Sequence, residues 1–197
     1  MGYLLDNGIF TVLDEDIIDV ARDFSCGHPD LDDFFHNDCL AYSKSLFGKS
    51  YCFYKKSSRE DVICAFTVSN ASIFTNRLPN SRKKKIGKTI PFEKRDLIYP
   101  AVLIGRLGVN HKYQRYHVGT ELMDFIKAWF TEPRNKTGCR YLVVDAYNTD
   151  VPIHYYQKNG FEFMFSSESQ EKDYRGIDNE DPLKTRLMYF DLIRIID

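Results

Sequence analysis

Two short and almost uninterrupted apolar runs, residues 101–109 and 141–146, flank the strongest amphipathic helix signal in the chain. In that helix Val118, Leu122, Phe125, Ile126 and Trp129 recur on one face over residues 118–130, and the pattern stops before Pro133. Runs this apolar and this short fit strands buried on both faces. Two such strands joined through a helix demand a layered structure, in which a sheet is covered by helices.

The remaining segments extend the pattern. Residues 9–13 read as a first strand and residues 16–24 as a helix. Pro29 opens another helix, with Asp30 as its cap and Leu31, Phe34, Phe35, Cys39 and Leu40 at three-to-four spacing. Residues 50–55 and 62–69, rich in aromatic and β-branched side chains around a polar turn, predict an antiparallel hairpin. Residues 151–159 form a short helix with Pro152 in its first turn and Gly160 just beyond its end. Residues 161–165 and 186–195 supply two more strands. The fold class is α/β (α+β): one mixed, mostly antiparallel sheet flanked by helices. A length of 197 residues suits a single domain spanning 1–197.

Composition narrows the class of function. With 43% hydrophobic and 28% charged residues the chain is neither disordered nor fibrous, and its apolar runs fall far short of the roughly 20 residues that span a bilayer. No membrane role is expected. The start has no signal-peptide pattern, and the five cysteines form no C-x-x-C pair, which predicts reduced thiols in a cytoplasmic protein. No metal site is expected. Charge is uneven along the chain. Residues 14–38 hold nine acids against one base, Arg22, and residues 166–182 hold six acids against two bases. Between residues 75 and 100, eight bases (among them Lys83, Lys84 and Lys85) face two acids. That stretch contains Pro79, Gly87 and Pro91 and no apolar period, so it reads as a basic loop inserted into the domain.

The segment that carries chemistry joins the strand at 101–109 to the helix at 118–130. It reads Asn110-His111-Lys112-Tyr113-Gln114-Arg115-Tyr116-His117-Val118-Gly119-Thr120. A short turn feeding a helix leaves backbone N–H groups unpaired at the positive end of the helix dipole. Such a turn binds phosphate, and Gly119 allows close approach.

These residues resemble a family. Gln114-Arg115-Tyr116-His117-Val118-Gly119 is similar to the acetyl-CoA loop Q/R-x-x-G-x-G/A of the GNAT superfamily of N-acetyltransferases, with His117 standing where the first glycine is usual. Residues 140–146, Asn148, the stretch His154-Tyr155-Tyr156-Gln157-Lys158-Asn159-Gly160-Phe161 and residues 185–189 resemble, in order, the family's later strand, its asparagine, its F-Y-x-x-x-G-F signature and its closing strand. The resemblance implies an acetyltransferase in which an amine attacks acetyl-CoA directly. It implies that the strands at 107–109 and 141–146 splay apart to admit the cosubstrate, and that Leu107, Gly108 and Val109 pair with the pantetheine and polarise the acetyl carbonyl. Gln114, Arg115, His117, Val118, Gly119 and Thr120 would hold the pyrophosphate, and Asn148 would face the cosubstrate or cap the following helix. Tyr156 would be the general acid toward the leaving thiolate, with Tyr155 as packing. No general base is singled out among His154, Asp145 and Glu93, and no cysteine has a histidine partner that would make it a nucleophile.

The amino-terminal third is similar to the toxin-type branch of that family, whose pattern F-x-C/S-G then L-D-x-F/W-L matches Phe24-Ser25-Cys26-Gly27 and Leu31-Asp32-Asp33-Phe34-Phe35. Ile104-Gly105-Arg106-Leu107-Gly108-Val109 resembles its strand L-G-R-L-A-V. That branch implies aminoacyl-tRNA as acceptor, an antitoxin partner and self-association into a homodimer. A small amine or a protein amino group stays open as acceptor. So does a non-catalytic acyl-CoA- or RNA-binding regulator on the same scaffold, which His117 and the missing base would favour.

Overall fold

The computed structural model describes residues 2–88, 90, 98–135 and 137–196. In chain order the elements are α1 (Tyr3–Asn7), β1 (Gly8–Val12), α2 (Glu15–Val20) and α3 (Pro29–Asp33), which runs through a π-helical turn (Phe34–Asp38) into α4 (Cys39–Lys44). There follow β2 (Lys49–Lys55), β3 (Ser58–Phe74), α5 (Asn80–Gly87), β4 (Ile98–Val109), α6 (Val118–Thr131), β5 (Tyr141–Tyr147) and α7 (Asp150–Lys158). Last come β6 (Glu162–Phe163), α8 (Glu168–Arg175), β7 (Thr185–Asp191) and α9 (Ile193–Ile196). The seven strands take the order β1-β2-β3-β4-β5-β7-β6, the mixed sheet of an α+β fold. The pairs β1–β2, β2–β3, β5–β7 and β7–β6 are antiparallel.

The chain forms two compact units, and β3 and β4 contribute residues to both. The first comprises Met1–Asn70 with Ile104–Phe130. Its β2–β3 register pairs Cys52 with Ala65 and Tyr51 with Phe66, so the two sides of the hairpin carry different side chains. One side packs Cys52, Val62 and Ala65 against Leu13, Ile17, Phe24, Phe34, Phe35 and Cys39. The other side is aromatic: Phe10, Tyr51, Phe53 and Phe66 meet Phe125 and Trp129 of α6, with Phe10 to Phe125 at 4.7 Å and Tyr51 to Trp129 at 4.8 Å between ring centres. Phe53 and Phe66 are fully buried, and each such side chain is worth about 1.5–3 kcal/mol. Val118, Leu122, Met123, Ile126 and Lys127 are buried on α6; the first, second and fourth belong to the face its periodicity predicts, whose other members, Phe125 and Trp129, are half-buried, while Met123 and Lys127 were not part of that face.

The second unit comprises Ala71–Leu103 with Thr131–Asp197. Its core gathers Ile73, Leu78, Ile86, Ala101, Tyr141, Val143, Met164, Phe165 and Tyr189. The Tyr141 hydroxyl donates to the Ile86 carbonyl at 3.0 Å, which ties α5 to β5.

Several elements differ from the sequence reading. The stretch at 75–100 is not one long loop, because it contains α5 and the start of β4; Lys83–Lys85 lie within α5, while Glu93 and the bases Lys94 and Arg95 lie outside the described residues. Ile86 is the one side chain α5 buries, too sparse a signal for periodicity to register. The cap of α3 is His28, not Asp30, because Pro29 takes the first helical position and needs no N–H partner. The closing strand ends at Asp191 and turns into α9. The strand expected at 161–165 shrinks to Glu162–Phe163. Among the described residues no helix is long and apolar enough to cross a membrane.

Candidate active site

In the first unit the end of β4 is clasped by the segment before α3. Asp32 accepts from the Ser25 hydroxyl and the Cys26 N–H, both at 2.7 Å. Partial burial pushes the Asp32 carboxyl up, but these bonds outweigh it and hold its pKa below the usual value. The segment so shaped, with Gly27 at φ +82°, presents two carbonyls to the β4–α6 connection. That of Ser25 accepts from the His111 N–H at 2.9 Å, and that of Cys26 from Gln114 Nε2 at 2.9 Å. The same Gln114 amide donates to the Val109 carbonyl at 3.1 Å, so Gln114 bolts the strand end to the clasp. Gly108 packs closely here: a Cβ on it would stand 3.0 Å from Cys26 Cβ and 3.1 Å from its sulfur, so Cys26 would have to give way slightly. Leu107 and Val109 are half-buried. Burial comes first among the influences on Cys26 and lifts its pKa to about 11, too high for a nucleophilic thiolate at neutral pH.

Beyond Val109 the chain enters a tight turn. Asn110 Nδ2 donates to the Val62 carbonyl and the Asn110 N–H to that of Ile63, which anchors the turn on β3. The N–H groups of Tyr116 and Thr120 are used internally, on the carbonyls of Tyr113 and His117. Among the described residues nothing accepts from the backbone N–H groups of Arg115, His117 and Val118. All three sit where α6 begins, with the positive end of a 14-residue helix behind them. The side chains of Lys112 and Arg115 are exposed and form no ion pair among the described residues. His117 is exposed and stands at φ +57°, the left-handed region that glycine enters freely. The departure from the glycine pattern is therefore chemical and not conformational: His117 holds the backbone as a glycine would, and its own N–H stays open.

In the second unit Asn148 spends its side-chain N–H groups on Glu168 Oε1 (2.9 Å) and the Leu183 carbonyl (2.8 Å), and the cap of α7 is Thr149. Tyr156 lies on α7 with its ring 5.1 Å from that of Tyr155 and 5.4 Å from that of Phe161. Its hydroxyl has no hydrogen-bond partner among the described residues, and burial alone raises its pKa, so the phenol stays protonated at all physiological pH. Asp145 is committed to a two-pronged pair with Arg175, at 2.7 and 3.3 Å, and His154 is exposed. Neither is poised as a base. The sequence reading passed over Glu171, which is fully buried and accepts from Arg175, Arg186 and the Leu187 N–H. Its letter sits in an acidic stretch, and only a count of inward-facing positions on α8 would have flagged it.

Residues 83–163 match the family model for the acetyltransferase (GNAT) domain. Over that span the chain is similar to a GNAT acetyltransferase domain. The solved structures most like it include AtaT complexed with acetyl-methionyl-tRNA(fMet), at 17% identity and TM-score 0.65 over 96% of this chain and 98% of that one. A tyrosine-to-phenylalanine mutant of KacT has 16% identity and TM-score 0.65 over 96% and 98%, and AtaTR bound with acetyl-CoA has 17% and 0.61 over 97% of each chain. Comparison with curated protein sequences finds no match. The solved structures share the fold of this chain. Among the described residues no group of three or more metal-ligating side chains is placed to hold a metal ion.

The left-handed His117 gives this turn a testable strain. A side chain there costs about 1–2 kcal/mol. His117→Gly is expected to keep acetyl-CoA affinity within about twofold, since glycine adopts the same angle without strain. His117→Val, which is branched at Cβ, is expected to lower stability by about 1–2 kcal/mol in urea unfolding. A valine variant as stable as the parent would mean the turn does not hold this geometry.

Proposed function

We propose that the chain acetylates the amino group of aminoacyl-tRNA, as a toxin-type GNAT enzyme. Acetyl-CoA supplies an activated acyl group on a thioester and a pyrophosphate by which it can be held. The residues fit that group. Arg115 and His117 offer two open N–H donors just before a helix start, the Val118 N–H lies behind them in a fully buried residue, Lys112 and Arg115 add positive charge, and Glu121, the nearest acid on α6, is occupied elsewhere by backbone donors. Backbone groups of Leu107, Gly108 and Val109 bind the pantetheine arm and polarise the acetyl carbonyl. Gln114 positions that strand end and does not spend its amide on the cosubstrate. The remaining oxygen of Asn148 is free to accept, while its nitrogen locks the loop before β7.

Tyr156 supplies the proton. As the acceptor nitrogen bonds to the acetyl carbon and the C–S bond breaks, the phenol protonates the departing sulfur, and the proton shed by the nitrogen as it becomes an amide restores the phenol. The nitrogen must arrive neutral, because Asp145 is paired to Arg175 and His154 stands in solvent. An α-amino group esterified at its carboxyl has a lowered pKa and is largely neutral near pH 8, which suits an aminoacyl ester better than a lysine side chain.

The observation that carries this reading is the set of open N–H groups at residues 115–118 on a chain whose fold is shared with AtaT bound to an acetylated aminoacyl-tRNA. The toxin-type clasp at Phe24–Gly27 and Asp32 shapes the same strand end. The basic helix α5 supports an RNA acceptor: Arg82, Lys83, Lys84 and Lys85 line it, and of these four only Lys85 has an ion-pair partner among the described residues, Glu162. The acidic stretch at 166–182 offers less repulsion than its letters suggest, since Glu168 and Glu171 are neutralised by Arg175 and Arg186. An antitoxin and a second copy of the chain are its proposed partners, in keeping with AtaT bound to the antitoxin AtaR. The test is acetyl transfer from labelled acetyl-CoA to small amines, peptides and charged tRNA. Replacing Lys83, Lys84 and Lys85 with glutamate is expected to raise KM for charged tRNA at least tenfold at moderate salt, and to leave KM for acetyl-CoA unchanged. Equal loss on a small amine would remove α5 from the RNA contact.

A further inference from the structure

The phosphate-binding turn is buttressed by the first residues of the chain. The side chain of Glu121, in the first turn of α6, accepts the N–H of Tyr3 at 2.9 Å and of Leu4 at 2.6 Å. A side chain on Gly2 would collide with that carboxyl, so the contact needs a bare backbone at residue 2. The Tyr3 ring stacks on that of Tyr116 at 4.9 Å and 26°, and lies 5.8 Å from that of Tyr113. Tyr113 donates its hydroxyl to Asp61 and is itself fixed. The rest of α1 is pinned independently: Leu4 is fully buried, and Lys56 bonds the carbonyls of Asp6 and Asn7. Tyr116 is 52% exposed and would otherwise rest on little.

We propose that Tyr3 and Glu121 are positioning residues for acetyl-CoA, acting through the Tyr3–Tyr116 stack and the Glu121 bonds to hold the turn at 115–118 open. This rests on the reading that the turn binds the pyrophosphate. Tyr116 immediately precedes His117, whose left-handed angle is unfavourable for a non-glycine residue and persists only where the surroundings enforce it. Tyr3 enforces it from outside. The Glu121 carboxylate would weaken an anion site at the head of α6, and the two N–H groups from α1 draw it away and satisfy it. The amino-terminal segment thus tunes the cosubstrate site without touching the cosubstrate.

The experiment is a double-mutant cycle read by calorimetric titration of acetyl-CoA on the full chain. Tyr3→Ala and Tyr116→Ala are each expected to raise Kd about five- to tenfold, as loss of one aromatic pair implies. The double variant is expected to be no weaker than either single one, and Tyr3→Phe to restore the parent Kd. Turnover at saturating acetyl-CoA is expected to stay unchanged for Tyr3→Ala. Independent, additive losses, or a Tyr3→Ala variant that binds as the parent does, would overturn the proposal while leaving the turn as the site. Failure of the parent chain itself to bind acetyl-CoA would overturn the reading of the turn and this proposal with it. Should Tyr3→Ala not fold, Tyr3→Leu, which keeps apolar bulk and removes the ring stack on Tyr116, is expected to raise Kd in the same direction; an unchanged Kd there counts against the proposal.

Discussion

Tyr156→Phe is expected to lower turnover about a hundredfold, the scale of one general acid, while acetyl-CoA binds with nearly unchanged affinity. Three observations set that expectation. The hydroxyl has no partner among the described residues, so its removal leaves none of their buried groups unsatisfied. The ring, packed between Tyr155 and Phe161, is retained in phenylalanine, so the fold stays intact. Burial raises the phenol's pKa, so the proton is present at every pH where the acceptor amine is neutral. The rate is then expected to rise with pH as the amine deprotonates, with no fall from tyrosine ionisation below pH about 10. Steady-state kinetics with saturating acetyl-CoA reads both effects. Turnover within a factor of two of the parent would take the proton-donor role away from Tyr156.

Glu171→Ala is expected to cost about 3–5 kcal/mol of stability. The carboxylate is fully buried and takes four hydrogen bonds: two from Arg175 at 2.7 and 3.2 Å, one from Arg186 Nε at 2.8 Å and one from the Leu187 N–H at 2.7 Å. Its loss strands Arg186, which is 8% exposed, and leaves a cation without compensation inside the second unit. Glu168 takes over little, since its nearest approach to Arg186 is 3.8 Å and its oxygens already serve Asn148 and Leu183. The midpoint of urea unfolding reads the loss. A shift worth less than about 1 kcal/mol would mean that α8 does not seat this carboxylate against β7.

The parts of this molecule that apolar patterning controls were legible in its letters. The runs at β4 and β5 and the stripe of α6 are written in hydrophobic residues and fold within three residues of expectation. Elements held by single or polar contacts were not. Helix α5 buries a single side chain, Ile86, α8 seats a buried charge, and α1 gives two backbone bonds to a glutamate more than a hundred positions away. No window of local sequence carries such information. The candidate site divides along the same line. The turn at 114–120 was visible as spacing, and Gly108, Gly119 and Tyr156 as motif letters. Gln114 and Asn148 looked like ligand contacts, yet their amide nitrogens are taken up by the protein's own carbonyls and carboxylates. His117 shows the converse. Its letter departs from the glycine pattern, and its φ of +57° places its backbone in the region that glycine enters freely.

The claim on which the rest depends is that open main-chain N–H groups at the start of α6 hold the pyrophosphate of acetyl-CoA. Calorimetric titration of the untreated chain with acetyl-CoA tests it most directly, with Gly119→Glu run alongside to place bulk and negative charge at that turn. Binding of the parent with a micromolar-scale Kd, abolished in the glutamate variant, is the expected result. No heat of binding by the parent at millimolar acetyl-CoA, or equal binding by both proteins, would contradict it.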